Sequence, residues 1–159
     1  MRILSIDPGY ERVGIAIIEK ENKSSKEILL FSECFKTSPK LKLSERIFII
    51  GQNIESIIKK WKPDALAIET LFMTTNQKTV MGVSEARGVI IYEGQKSGLQ
   101  ICEYTPLQIK IAVTGYGKAT KEQVLTMVQK LIKISNKKTL DDEIDAIAVG
   151  LTYFAQERF

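Results

Sequence analysis

The chain has 159 residues, 44% of them hydrophobic and 26% charged, which suits a single compact domain with a substantial core. It carries no histidine and only two cysteines, which excludes Ser-His-Asp triads and His-bearing zinc sites and leaves any metal to oxygen ligands. A net charge of +4 favours a polyanionic partner only mildly; no apolar run is long enough to span a bilayer or serve as a signal peptide, so a cytoplasmic protein is expected.

In chain order, "RILSID" reads as a short buried strand, followed past the turn "PGYER" by a second strand, "VGIAIIEKE". The polar turn "NKSSK" leads into a third, "EILLFSECFKT". Leu43, Ile47, Ile50, Ile54, Ile57 and Ile58 then recur at three- and four-residue steps, which predicts an amphipathic helix that Pro63 stops. "DALAIE" is a fourth strand. Val83, Ala86, Val89, Ile90 and Glu93 line a second helix with Gly98 as its cap, and "LQICEY" is a fifth strand. "TPLQIKIAVTG" is a short helix with proline in its first turn, Thr120 opens another, and Thr139 is placed to cap a last helix running through "DDEIDAIAVGLTYFAQ". The order βββ-α-β-α-β-α-α-α predicts an α/β fold, a mixed five-stranded sheet with helices on both faces, as one domain over residues 1–159. Cys34 and Cys102, both in strand segments, read as buried reduced thiols.

Two acids stand at the C-terminal ends of strands, Asp7 and Glu69. If those strands are parallel neighbours, both carboxylates emerge at one edge of the sheet, where α/β folds place their sites. Asp-Pro-Gly is also a good turn sequence, so Asp7 alone says little. The last helix adds Asp145, which borders the apolar line through Ile144 and Ala148. Either Asp141 or Asp142 shares a face with it. Acids in a first helical turn complement the dipole, but Asp145 lies deeper than that role needs. Converging carboxylates repel one another unless cations neutralise them. Two Mg²⁺ ions would do so and would stabilise both the attacking and the leaving oxygen of a phosphodiester displacement.

"DPG" after the first strand, "AIETLFM" after the fourth, "EARGVI" in the next helix and "DEIDAIAVG" at the end together resemble the RuvC-type Holliday junction resolvases, collinearly from Ile3 to about Tyr153. The resemblance implies an RNase H-like fold and a homodimer. It also implies Mg²⁺-dependent cutting of two opposing strands of a four-way DNA junction in recombination and repair, leaving 5′-phosphate and 3′-hydroxyl ends, with Mn²⁺ able to substitute. Carried over, the metal ligands are Asp7, Glu69, Asp142 and Asp145; the choice of Asp142 over Asp141 comes from the family's D-x-x-D-A spacing. Some relatives carry histidine at the position of Asp142. Lys110 and Lys121 match the family's basic catalytic positions, and Lys118 is an additional lysine beside them. Phe72 corresponds to an aromatic at the junction centre, and with Met73, Lys78, Lys110, Lys118 and Lys121 makes up the expected DNA-binding set. The resemblance assigns the helix bearing Val83, Ala86, Arg87 and Ile90 to the dimer interface, and implies branch-migration proteins of the RuvA and RuvB type as partners.

Three other readings stay open at this level. One is a YqgF-type nuclease of the same fold acting on RNA. Another is an ATP-binding actin-like domain, for which the chain is too short to hold two lobes. The third is a non-catalytic junction-binding module, against which four mutually repelling acids argue.

Overall fold

The computed structural model describes residues 1–71, 77–134 and 140–157, with the side chains of residues 77 and 78 left aside. Five strands form one mixed sheet: β1 (Arg2–Asp7), β2 (Arg12–Glu19), β3 (Ile28–Lys36), β4 (Ala65–Glu69) and β5 (Gln100–Tyr104), in the spatial order β3-β2-β1-β4-β5. β1, β2 and β3 pair antiparallel as a meander, whereas β1, β4 and β5 run parallel. The central position of β1 explains its continuous apolar run, since Ile3, Leu4, Ser5 and Ile6 are all fully buried.

Alternation along the strands sorts the core into two layers. Leu4, Ile6, Ile15, Ile17, Leu66 and Ile68 point to one face, which is covered by α1 (Leu43–Trp61) and α2 (Gln77–Lys96). Ile3, Ala16, Ile18, Ala65 and Ala67 point to the other, covered by α5 (Asp141–Gln156) with α3 (Pro106–Thr114) and α4 (Lys121–Leu131) outside it. The predicted mixed sheet with helices on both faces is therefore the observed one.

The helix limits follow local chemistry. α1 ends at Lys62, whose backbone is left-handed at φ 48° and whose N–H donates to the Ile58 carbonyl before Pro63 turns the chain into β4. Thr105 and Thr120 cap α3 and α4, each accepting from the N–H three residues on. Thr139, the expected cap of α5, lies outside the described residues. At the start of α5 the Leu140 N–H instead donates to Glu143 Oε1 at 3.3 Å, and Ser32 Oγ donates to Glu143 Oε2 at 2.8 Å. Glu143 thus ties α5 to its own first turn and to β3.

α5 lies against the sheet through residues without bulk. A Cβ at Gly150 would stand 2.6 Å from Ile18 Cδ1 and 2.8 Å from Ser5 Oγ, so a larger residue would require both side chains to shift. Among the described residues no helix is long and apolar enough to cross a membrane.

Ala86 and Ile90, assigned to the dimer interface, are fully buried in this chain's own core, among residues of the sheet and of α1. A helix's apolar stripe does not by itself reveal what covers it. Cys102 is buried as expected, but Cys34 is only half-buried, and both thiols are free.

Candidate active site

The strand pleat accounts for the first two acids. Asp7 continues the face of Ile3 and Ser5, and Glu69 continues the face of Ala65 and Ala67, so both point toward α5. The β1–β4 register runs Ile3 beside Ala65 through Ile6 beside Ile68. One further step sets Asp7 beside Glu69 at the C-terminal edge of the parallel pair. Asp142 and Asp145 come from the first two turns of α5, seated on the same face.

A feature absent from the sequence reading sets the distance between these two groups. Gly14 of β2 pairs with Asp7 of β1. A Cβ on it would overlap the Asp142 carbonyl oxygen and stand 2.7 Å from the carbonyl carbon and 3.1 Å from Asp7 Cβ. Glycine at this position lets the start of α5 descend onto the ends of the strands. The available signal was a glycine inside a strand of β-branched residues, which marks a close backbone approach.

The acids act on one another's titration. Asp7 is pushed up to about 8, first by burial and then by the negative charges of Glu69, Asp145 and Asp142, with Lys121 opposing. Glu69 is pushed up to about 7 by burial and by Asp145, with Lys110 opposing. Asp145 is raised mainly by burial, against the pull of Lys121.

The remaining contacts divide the four acids into two kinds. Among the described residues, Asp7 and Glu69 form no ion pair. Asp142 is paired with the Arg12 guanidinium and lies 3.5 Å from Cys34 Sγ. Asp145 Oδ2 lies 3.5 Å from Lys121 Nζ, which is also 3.4 Å from Asp141. Asp141 is thus an exposed partner of Lys121, and Glu143 is engaged with Leu140 and Ser32. Among the described residues no three acidic or thiol groups are already drawn around one point in a way that would hold an ion. The α5 acids pair with Arg12 and Lys121, while their charges still reach Asp7.

A cavity of about 270 Å³ opens beside the acids, lined by Glu69, Lys110, Lys121 and Asp145 over an apolar wall that includes Pro106, Ile109 and Val124. α3 and α4 deliver the two lysines. Lys118, on the exposed connection between those helices, does not line the cavity. Phe72 and Met73 lie outside the described residues, as does the side chain of Lys78. Arg87, expected at a dimer surface, braces the site: its Nε donates to the Glu69 carbonyl at 3.1 Å and its guanidinium pairs with Glu103 of β5. Val83 is half-buried on the same helix.

The donor set consists of carboxylates alone, buried enough that two of them hold protons well above the usual range. This suits a hard divalent cation, which would supply the missing positive charge.

Residues 3–153 match the family model described as crossover junction endodeoxyribonuclease RuvC. The crossover junction endodeoxyribonuclease RuvC of Fusobacterium nucleatum is 43% identical over 153 residues, which cover 96% of this chain and 80% of that protein. The solved structure of Thermus thermophilus RuvC is 29% identical with a TM-score of 0.87, covering 98% of this chain and 94% of that one. The structure of T. thermophilus RuvC in complex with a Holliday junction substrate gives a TM-score of 0.88 at 29% identity, covering 96% of this chain and 92% of that one.

Proposed function

We infer that this protein, which belongs to the crossover junction endodeoxyribonuclease RuvC family, is a nuclease that resolves Holliday junctions by cutting phosphodiester bonds in two opposing strands. The observation that carries the reading is the meeting of Asp7 and Glu69, from adjacent parallel strand ends, with Asp142 and Asp145 of the helix packed across them. The C-terminal edge of parallel strands, where α/β proteins bind their ligands, supports this reading.

Asp7, Glu69, Asp142 and Asp145 would hold Mg²⁺, two ions per subunit, with Mn²⁺ as a substitute. Such ions would supply the positive charge that neutralises the acids and the Lewis acidity that a phosphodiester displacement needs. The chain's own residues do the rest. Lys110 and Lys121 line the cavity beside Glu69 and Asp145, where they bind the scissile phosphate and offset the charge that develops on it. The apolar wall of Ile109 and Val124 limits water around that phosphate. Arg87 fixes the Glu69 peptide against β5 and so keeps one ligand in place. Phe72 and Met73, a few residues after Glu69 in sequence, are proposed to stack on bases at the junction centre, with Lys78 and Lys118 on the DNA backbone.

Two matched nicks need two equivalent sites, so the working form is proposed to be a homodimer. Because Ala86 and Ile90 are spent on the core, its interface is assigned to the outer side of α2 with neighbouring α1. There Met81, Tyr92 and Phe48 are 63%, 62% and 64% exposed. Branch-migration proteins of the RuvA and RuvB type are proposed partners, and the cytoplasm, where such DNA is processed, is the proposed location.

The test is a comparison of wild-type protein with Asp7→Asn on a four-way junction. The variant is expected to bind the junction normally in a gel-shift assay and to make no cuts with Mg²⁺. Cutting at the wild-type rate would remove Asp7 from the centre.

A further inference from the structure

The four acids are not equally free to receive a cation, and this asymmetry singles out Arg12. It is the first residue of β2 and lies across from Lys36 of β3. Its guanidinium pairs with Asp142 Oδ2, the same oxygen that Cys34 Sγ approaches at 3.5 Å. Asp145 lines the cavity with Glu69, and its cationic partner is Lys121 of the same cavity. Asp142 is paired instead with Arg12, which is not one of the two cations facing the substrate side. The pair is part-exposed, with the Arg12 side chain at 45% and Asp142 at 23%, so ions in solution can compete for it.

We propose that Arg12 is a positioning residue, a built-in counter-ion that holds Asp142 away from the metal centre until a divalent cation displaces it. The proposal rests on the metal-dependent reading above. Without a metal, the guanidinium neutralises one of four neighbouring acids and so stabilises the fold. When metal binds, Asp142 has to leave Arg12, and the lost pair weakens apparent metal affinity. Arg12 thereby sets the Mg²⁺ concentration at which the centre assembles. A merely structural arginine would stabilise the protein with and without metal alike. A counter-ion acts in opposite directions on the two states.

The experiment is a thermal melt of the full chain in EDTA and across a Mg²⁺ titration, for wild type, Arg12→Gln, Arg12→Lys and Asp7→Asn. Arg12→Gln should melt lower than wild type in EDTA, yet reach half of its Mg²⁺-induced stabilisation at about fivefold less Mg²⁺, the scale of a part-exposed ion pair. Arg12→Lys, which keeps the charge without the planar fork, should fall between the two. An unchanged or higher Mg²⁺ requirement in Arg12→Gln overturns the proposal while leaving the metal centre standing. Equal Mg²⁺ stabilisation in wild type and Asp7→Asn overturns the metal centre itself, and the role of Arg12 with it.

Discussion

Replacing Gly14 by alanine adds one methyl group at the point where the helix acids are brought down onto the strand acids. The added Cβ would overlap the Asp142 carbonyl oxygen and stand 2.7 Å from its carbonyl carbon, far inside ordinary contact. Neither side of this contact is the flexible end of a side chain, since one is the α5 backbone and the other is a strand residue paired on both sides. Relief requires the first turn of α5 to move by on the order of 1 Å, and overpacking of this kind costs about 1–3 kcal/mol. Metal sites tolerate ligand shifts of only about 0.2 Å, and a 1 Å displacement of a catalytic group can cost about 100-fold in rate. Gly14→Ala should therefore melt lower, bind the four-way junction as wild type does, and cut it about 100-fold more slowly at saturating Mg²⁺. Single-turnover cutting of a labelled junction, beside a thermal melt, measures both effects. A variant that cuts at the wild-type rate would refute the claim that this contact sets the spacing of the acids.

The raised carboxyls predict how stability depends on pH. Asp7 at about 8 and Glu69 at about 7 keep protons in the folded state that the unfolded chain has already lost near their ordinary values of 3.8 and 4.5. The metal-free protein should thus lose stability as pH rises from about 4 to about 8. Melts in EDTA should show a smaller fall for Asp7→Asn, and a flat wild-type profile would contradict the assignment. Lys121→Ala removes the cation beside Asp145 from the cavity wall and should slow cutting of already bound junction about 100-fold, beyond any weakening of junction binding, read by single-turnover kinetics at saturating protein beside a gel shift. Ile90→Ala should cost about 2–5 kcal/mol in urea unfolding, as expected of a core position. Tyr92→Glu, on the outer side of α2, should leave the fold intact and shift sedimentation from dimer to monomer.

Much of this arrangement is legible in the sequence because it is local. Asp7 and Glu69 each end a short apolar run, and once the strands are parallel neighbours the pleat and register fix their meeting. The depth of Asp145 follows from helical periodicity alone. The choice of Asp142 over Asp141 does not, since both share a face with Asp145; the family spacing supplied it, and the structure shows Asp141 exposed beside Lys121. What stayed hidden depends on contacts between distant segments. Gly14 meets Asp142, Arg12 and Cys34 reach the same carboxylate, and Arg87 braces Glu69 only because the fold folds these segments together. The burial of Ala86 and Ile90 in the chain's own core stayed hidden for a related reason: the spacing of an apolar stripe shows that something covers it, but not what.

The central claim is that the acids of β1, β4 and α5 form one metal-dependent centre that cuts junctions symmetrically. The most direct measurement is end-mapping of a four-way junction labelled in turn on each strand, with wild-type protein in Mg²⁺ and in EDTA. The account predicts paired nicks at equivalent positions in two opposing strands, with 5′-phosphate and 3′-hydroxyl ends, in Mg²⁺ only. Cuts that persist in EDTA, or that fall at unrelated positions on the strands, would contradict it.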